Sequence, residues 1–111
     1  MKARNPLLAA IPYQVEQSLR KLGANLKTAR LRRNLTLQDA AQKIGTSRFA
    51  VADAEKGKPS TALAVYAALL WAYGLLDQLS DLADPLQDAE GTALSLRRER
   101  ARHRTRLDND F

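Results

Sequence analysis

An all-α fold of five helices is what this sequence predicts, and three observations predict it. Apolar residues recur at helical spacing in five successive segments between residues 12 and 83. Residues that start or stop helices separate those segments: Thr36, Gly45, Ser47, Gly57, Pro59, Ser60, Gly74 and the Asp84-Pro85 pair. No segment of this core shows a strand pattern, and no internal repeat is visible. With 111 residues and 45% apolar side chains, the chain has material for one small core plus extensions.

Residues 1–11 read as a flexible N-terminal arm with two bases, Lys2 and Arg4. Pro12 suits the first position of a helix, where its missing N–H costs nothing. Val15, Leu19, Leu22, Leu26 and Ala29 then follow at steps of four and three. They predict a first helix over 12–33 with one apolar stripe and otherwise basic faces. Gly23 is the weak point of that helix, a place for a bend or a break.

Thr36 with Asp39 three residues on forms a helix start. Leu37, Ala40, Ala41 and Ile44 continue it until Gly45, which can take positive φ at little cost. Thr46 or Ser47 caps the next helix, which runs to about Lys56. Val51 and Ala54 share its inner face, leaving Arg48, Phe49, Ala52 and Asp53 pointing away from the core. Two short helices joined by a Gly turn in this way have the layout of a helix-turn-helix.

Gly57, Lys58 and Pro59 end that second helix, and Ser60 or Thr61 caps a fourth over 61–73. It contains Leu63, Val65, Tyr66, Leu69, Leu70, Trp71 and Tyr73 and no charge, so it must be covered on nearly every side. Gly74 turns the chain, and Leu75, Leu76, Leu79 and Leu82 make the stripe of a fifth helix. Beyond it, residues 85–111 read as a tail, acidic and then Arg-rich, with too few apolar anchors to order itself.

The charge is +6 overall and segregated. Residues 1–35 hold eight Lys or Arg against one Glu, residues 75–90 five acids and no base, and residues 97–106 six Arg against one Glu. A basic balance suits a polyanionic partner. The absence of Cys removes disulfides, thiolate metal sites and Cys nucleophiles together and fits a reducing cytoplasm. No convergent His and acid and no phosphate-cradling Gly loop are present, so an enzyme is not expected. Asp77, Asp81, Asp84, Asp88 and Glu90 lack the spacing of a calcium loop, and no metal or cofactor is expected. No apolar run is long enough to span a membrane.

The combination Leu26, Arg30, Leu35-Thr36, Ala40-Ala41, Ile44-Gly45-Thr46-Ser47, Val51, Glu55, Gly57 and Leu75 resembles the Cro- and phage-repressor-type (XRE-like) helix-turn-helix family over residues 22–76. The GKPST turn, the apolar helix after it and the basic tail are similar to HipB-type antitoxins. The resemblance implies a compact five-helix lambda-repressor-like domain over 12–84, binding double-stranded operator DNA as a homodimer. It implies an ion pair between Arg30 and Glu55, tying the first helix to the recognition helix. The family often has Gln where Leu37 stands, touching a phosphate; here that contact falls to Gln38 or Thr36.

Ser47, Arg48, Phe49, Ala52 and Asp53 are the candidate base readers. Arg48 can grip a guanine edge with two hydrogen bonds, whereas Phe49 either touches a thymine methyl or packs within the domain. Lys27, Arg32, Arg33, Thr36, Gln38, Lys43, Lys56 and Lys58 are the phosphate candidates. Tyr66, Leu70, Trp71, Tyr73, Leu76 and Leu79 are the expected surface for a second copy or a partner protein. The resemblance implies a HipA-like toxin kinase as that partner. Two functions are therefore expected: a repressor of its own operon within a toxin-antitoxin module, or an interaction module that mainly neutralises the kinase and binds DNA only in the complex.

Overall fold

The computed structural model describes residues 5–109, which form seven α-helices, one 3-10 turn and no strand. Lys2 and Arg4 lie outside the described residues. The chain divides into two units, Met1–Leu79 and Ser80–Phe111.

In the first unit, the short α1 (Pro6–Ala9) starts on Asn5, whose side chain accepts from the Leu7 N–H. The expected arm thus contains one turn of helix. The long α2 (Tyr13–Arg32) begins after Pro12, which takes extended backbone angles and serves as the cap instead of the first helical residue. Helices α3 (Leu37–Ile44), α4 (Arg48–Glu55) and α5 (Leu63–Ala72) follow, and α6 (Asp77–Ser80) is a single turn. The fifth helix is therefore much shorter than the Leu stripe predicts. Leu75 and Leu79 pack on the core, whereas Leu76 and Leu82 are exposed.

The core is assembled from small side chains around a few large ones. Ala40, Ala41, Val51 and Ala54 have no exposed surface, and Leu26 and Leu69 are buried with them. Each such Leu contributes about 1.5–3 kcal/mol by leaving water. The Ala residues serve differently: they let helix backbones approach. Gly23 is the extreme case. A Cβ at Gly23 would stand 2.5 Å from the Glu55 carbonyl oxygen and 2.6 Å from that of Ala54. Helix α2 runs unbroken through Gly23, so the residue is a contact point with the end of α4 and not a break in the helix. Gly57, at φ +70°, presses back on the backbone of Leu19 and Arg20.

Helix α5 departs from expectation at its start. Ala62 occupies the cap position without a side-chain bond, and the Thr61 hydroxyl is buried with no partner. The preceding loop is held instead by Tyr66, whose hydroxyl donates to the Lys58 carbonyl at 3.1 Å.

In the second unit, Asp84 caps the 3-10 turn Pro85–Gln87, and Asp88 caps α7 (Ala89–Asn109) by accepting from the Gly91 N–H at 2.9 Å. The expected flexible tail is thus a 21-residue helix through Asn109. None of its residues is buried, so local hydrogen bonds and capping, rather than packing, account for it.

Candidate nucleic-acid interface

The turn between α3 and α4 is fixed from both sides. Thr36 and Asp39 form a reciprocal cap: the Thr36 hydroxyl accepts from the Asp39 N–H at 3.0 Å, and the Asp39 carboxylate accepts from the Thr36 N–H at 2.9 Å. The Thr36 backbone and hydroxyl bonds hold the Asp39 carboxyl below its ordinary range. Gly45, at φ 78° and ψ 39°, closes α3, its N–H and that of Thr46 both donating to the Ala41 carbonyl. Ser47 then caps α4 by accepting from the Ala50 N–H at 3.2 Å.

These bonds set the azimuth of α4. Val51 and Ala54 face the core, Ala52 and Asp53 are half-buried, and Arg48 and Phe49 stand out from the first turn. Phe49 is 67% exposed, which settles the choice between packing inside the domain and facing outward. The Arg48 guanidinium rests over its ring, 5.1 Å from the centroid. Such an exposed cation–π contact is worth about 0.5–1 kcal/mol, weak enough to be exchanged for a base edge. At the other end of α4, Lys58 lies 3.6 Å from the Asp53 carboxylate, offsetting a negative charge that would otherwise repel phosphate. The Asp53 carbonyl also accepts from the N–H groups of Lys56 and Lys58, so the basic turn is built onto the helix end.

Behind this surface, Arg30 locks α2 to α4. Its Nε donates to Glu55 at 2.7 Å and its Nη2 at 3.0 Å, while Nη1 donates to the Leu35 carbonyl at 2.8 Å. Both side chains are over nine-tenths buried. The Glu55 hydrogen bonds raise the Arg30 pKa above its ordinary value, against the cost of burial. A buried pair is tolerable only when its donors and acceptors are satisfied, and this fork geometry satisfies most of them.

Lys27, Arg32, Gln38, Lys43, Lys56 and Lys58 are all exposed, as is Thr36 with its hydroxyl committed to the cap. Arg33 is placed differently. Its guanidinium donates to the Ala29 and Tyr73 carbonyls at 2.9 and 2.8 Å and lies 5.5 Å from the Tyr73 ring centroid. It closes the ends of α2 and α5, a structural role that nothing in its sequence context announces. The Tyr73 hydroxyl is buried without a partner, and burial pushes its pKa up.

The expected partner surface is corrected for three residues. Tyr66, Leu70 and Tyr73 are buried in the core of the single chain, because α5 packs on both α3 and α4. Trp71 at 61% exposure and Leu76 remain outside, joined by Leu63, while Leu79 is half-buried against the core. Among the described residues no group of His, Asp and Glu is arranged to hold a metal, and no helix is long and apolar enough to cross a membrane.

A family model described as a helix-turn-helix domain matches residues 21–83, from the middle of α2 to just past α6. No curated protein sequence matches the chain. With α3, the Gly45 turn and α4 inside a match that spans more than half of its length, the chain belongs to the helix-turn-helix domain family, of the XRE-like type, whose fold is a DNA-binding one.

Proposed function

We propose that this protein is a sequence-specific transcriptional repressor that acts as a homodimer on palindromic operator DNA. The observation that supports it best is the outward first turn of α4, where Arg48 and Phe49 are held clear of the core by the Ser47 cap. In this reading α4 enters the major groove. Arg48 reads a guanine edge, and Phe49, Ala52 and Ser47 shape the fit around it. Lys56 and Lys58 meet phosphate at one end of the helix, and Lys43, Gln38 and Thr36 meet it from α3. Dimerisation uses the exposed face of α5 and the turn after it, Leu63, Trp71 and Leu76, so that two recognition helices match half-sites about 34 Å apart.

On the resemblance to HipB-type antitoxins, the operator precedes the protein's own gene, a HipA-like toxin kinase is the partner, and the complex is cytoplasmic. The exposed Trp71 also favours a second reading, in which this face serves chiefly to neutralise the kinase and DNA binding needs the complex.

The test uses an operator selected by the full chain from a random-sequence duplex pool. At one fixed salt concentration, Arg48→Ala should weaken that operator by roughly 1–3 kcal/mol while changing random-duplex affinity far less. Equal loss on both would remove Arg48 from base reading. A chain that selects nothing alone, but does so with the kinase present, would favour the second reading.

A further inference from the structure

Helix α7 is the part of the molecule that the helix-turn-helix does not explain. Its six arginines at 97, 98, 100, 102, 104 and 106 are all exposed, and among the described residues none of them makes an ion pair or a side-chain hydrogen bond. At about 100° of turn per residue, they are not spread evenly. Arg98, Arg102 and Arg106 form one row along a flank, and Arg97, Arg100 and Arg104 cluster on another, with the centres of the two groups about 165° apart around the axis. On one side between them, at the level of the arginines, lie Ala101 and Thr105, with Leu94 and the acids Glu90 and Asp108 on the same side toward the two helix ends. The Thr105 hydroxyl is turned in to the Ala101 carbonyl at 3.0 Å.

Like charges at i, i+4, such as Arg98 with Arg102 and Arg100 with Arg104, oppose the helix, and no burial offsets them. A partner that relieves this must be negative on both flanks at once. An anionic membrane is flat and meets one face. Leu96 and Leu107 share a side of α7 with Ala89 and Ala93, but Arg100 and His103 interrupt that row and Leu94 points about 160° away from Leu96, so α7 has no continuous apolar stripe to insert. A protein partner would need two acidic walls. The major groove of duplex DNA has two phosphate walls by construction, and its width of about 12 Å accepts a helix about 10–12 Å across.

We propose that α7 is a second nucleic-acid-binding element that seats lengthwise in the major groove, one arginine group facing each phosphate wall, with the small Ala101 and Thr105 side toward the floor. This rests on the DNA-binding reading of the chain and adds a sequence-independent contact to it. The two flanks make the proposal sharper than charge alone, because both must matter.

The experiment compares the full native chain with two triple variants, Arg98→Gln with Arg102→Gln and Arg106→Gln, and Arg97→Gln with Arg100→Gln and Arg104→Gln. Gln is close to Arg in helix propensity, so circular dichroism should show the helix retained. Affinity for a random-sequence duplex is measured between about 50 and 200 mM salt. Each triple should flatten the slope of log affinity against log salt by roughly 2–3 units, three contacts at about 0.9 each. An unchanged slope for one triple overturns the groove seat. Unchanged slopes for both, with native binding intact, overturn the proposal while leaving the helix-turn-helix reading standing. A native chain that binds no duplex overturns both. Binding to phosphatidylserine vesicles that both triples abolish, with duplex slopes unchanged, assigns α7 to a membrane surface instead.

Discussion

The junction of α2 with α4 and the helix α7 are both well-formed α-helical structure, and they are held by opposite means. At the junction, Gly23 and Gly57 bring backbone against backbone, Ala54 is fully buried, and Arg30 and Glu55 are sealed behind it. In α7 the described residues bury nothing, and a single Asp88 cap and the backbone ladder define the element. Helical periodicity in a sequence therefore reports two different things. In the first case the stripe of apolar residues states which face of the helix will be covered; in the second the absence of a continuous stripe leaves the helix dependent on local terms worth tenths of a kcal/mol each.

The junction can be broken by single changes, and the largest effect is expected at its buried charge. Arg30→Ala leaves the Glu55 carboxylate buried without a partner and should cost about 3–5 kcal/mol. Against a total stability of about 5–15 kcal/mol for a domain, urea unfolding would detect this as a large fall in midpoint. If Arg30→Ala shifts the midpoint no more than Lys27→Ala does, the pair is not what holds α2 to α4.

Next comes Gly23→Ala, where one methyl group meets two carbonyl oxygens that cannot move without separating the helices. About 1–3 kcal/mol is expected, the usual range for overpacking. Gly45→Ala serves as its control. That site has the positive φ but open space around it, so only the conformational cost of about 1–2 kcal/mol applies. Gly23 has a helical φ and carries no such conformational cost, so no loss in Gly23→Ala would mean that close approach contributes nothing measurable.

For α7 the comparison predicts near silence. Leu94→Ala and Leu107→Ala, at exposed positions, should stay within about 0.5 kcal/mol in thermal unfolding of the whole chain. A cooperative loss at either site would show that α7 belongs to the folded core.

The smallest effect is a pH dependence at the α3 cap. The Asp39 carboxyl has its folded pKa lowered by the Thr36 bonds, so its contribution is present above the unfolded value of about 3.9 and is lost as pH falls through the folded value. Thermal midpoints should therefore decline on acidification below about pH 4, and Asp39→Asn should flatten that decline. An unaltered profile in Asp39→Asn would remove the cap from the acid response.

Much of the first unit was legible in the chain. Thr36 with Asp39, Gly45 and Ser47 act over three or four residues, so the turn and the outward position of Arg48 follow from local chemistry. The Arg30–Glu55 pair was legible only through family likeness, since 25 residues separate the partners and nothing local joins them. Tyr66, Leu70 and Tyr73 were misplaced for a related reason. An uncharged helix announces that it needs cover on most sides, but not which side its own chain supplies.

The sequence by itself determined α2, α3 and α4, the caps at Thr36 and Ser47 and the face of α4 that looks outward, because those depend on spacing and on hydrogen bonds within a few residues. It left α7 as a tail and misplaced the caps of α2 and α5. Only the tertiary structure decided that Gly23 is a docking point and not a break in the helix. It alone drew Arg33 onto the ends of α2 and α5, and it alone divided α5 into a buried Tyr66–Leu69–Tyr73 face and an exposed Trp71. Those outcomes depend on which backbone arrives at a given surface, and steric fit between segments far apart in the chain leaves no periodic mark in either one.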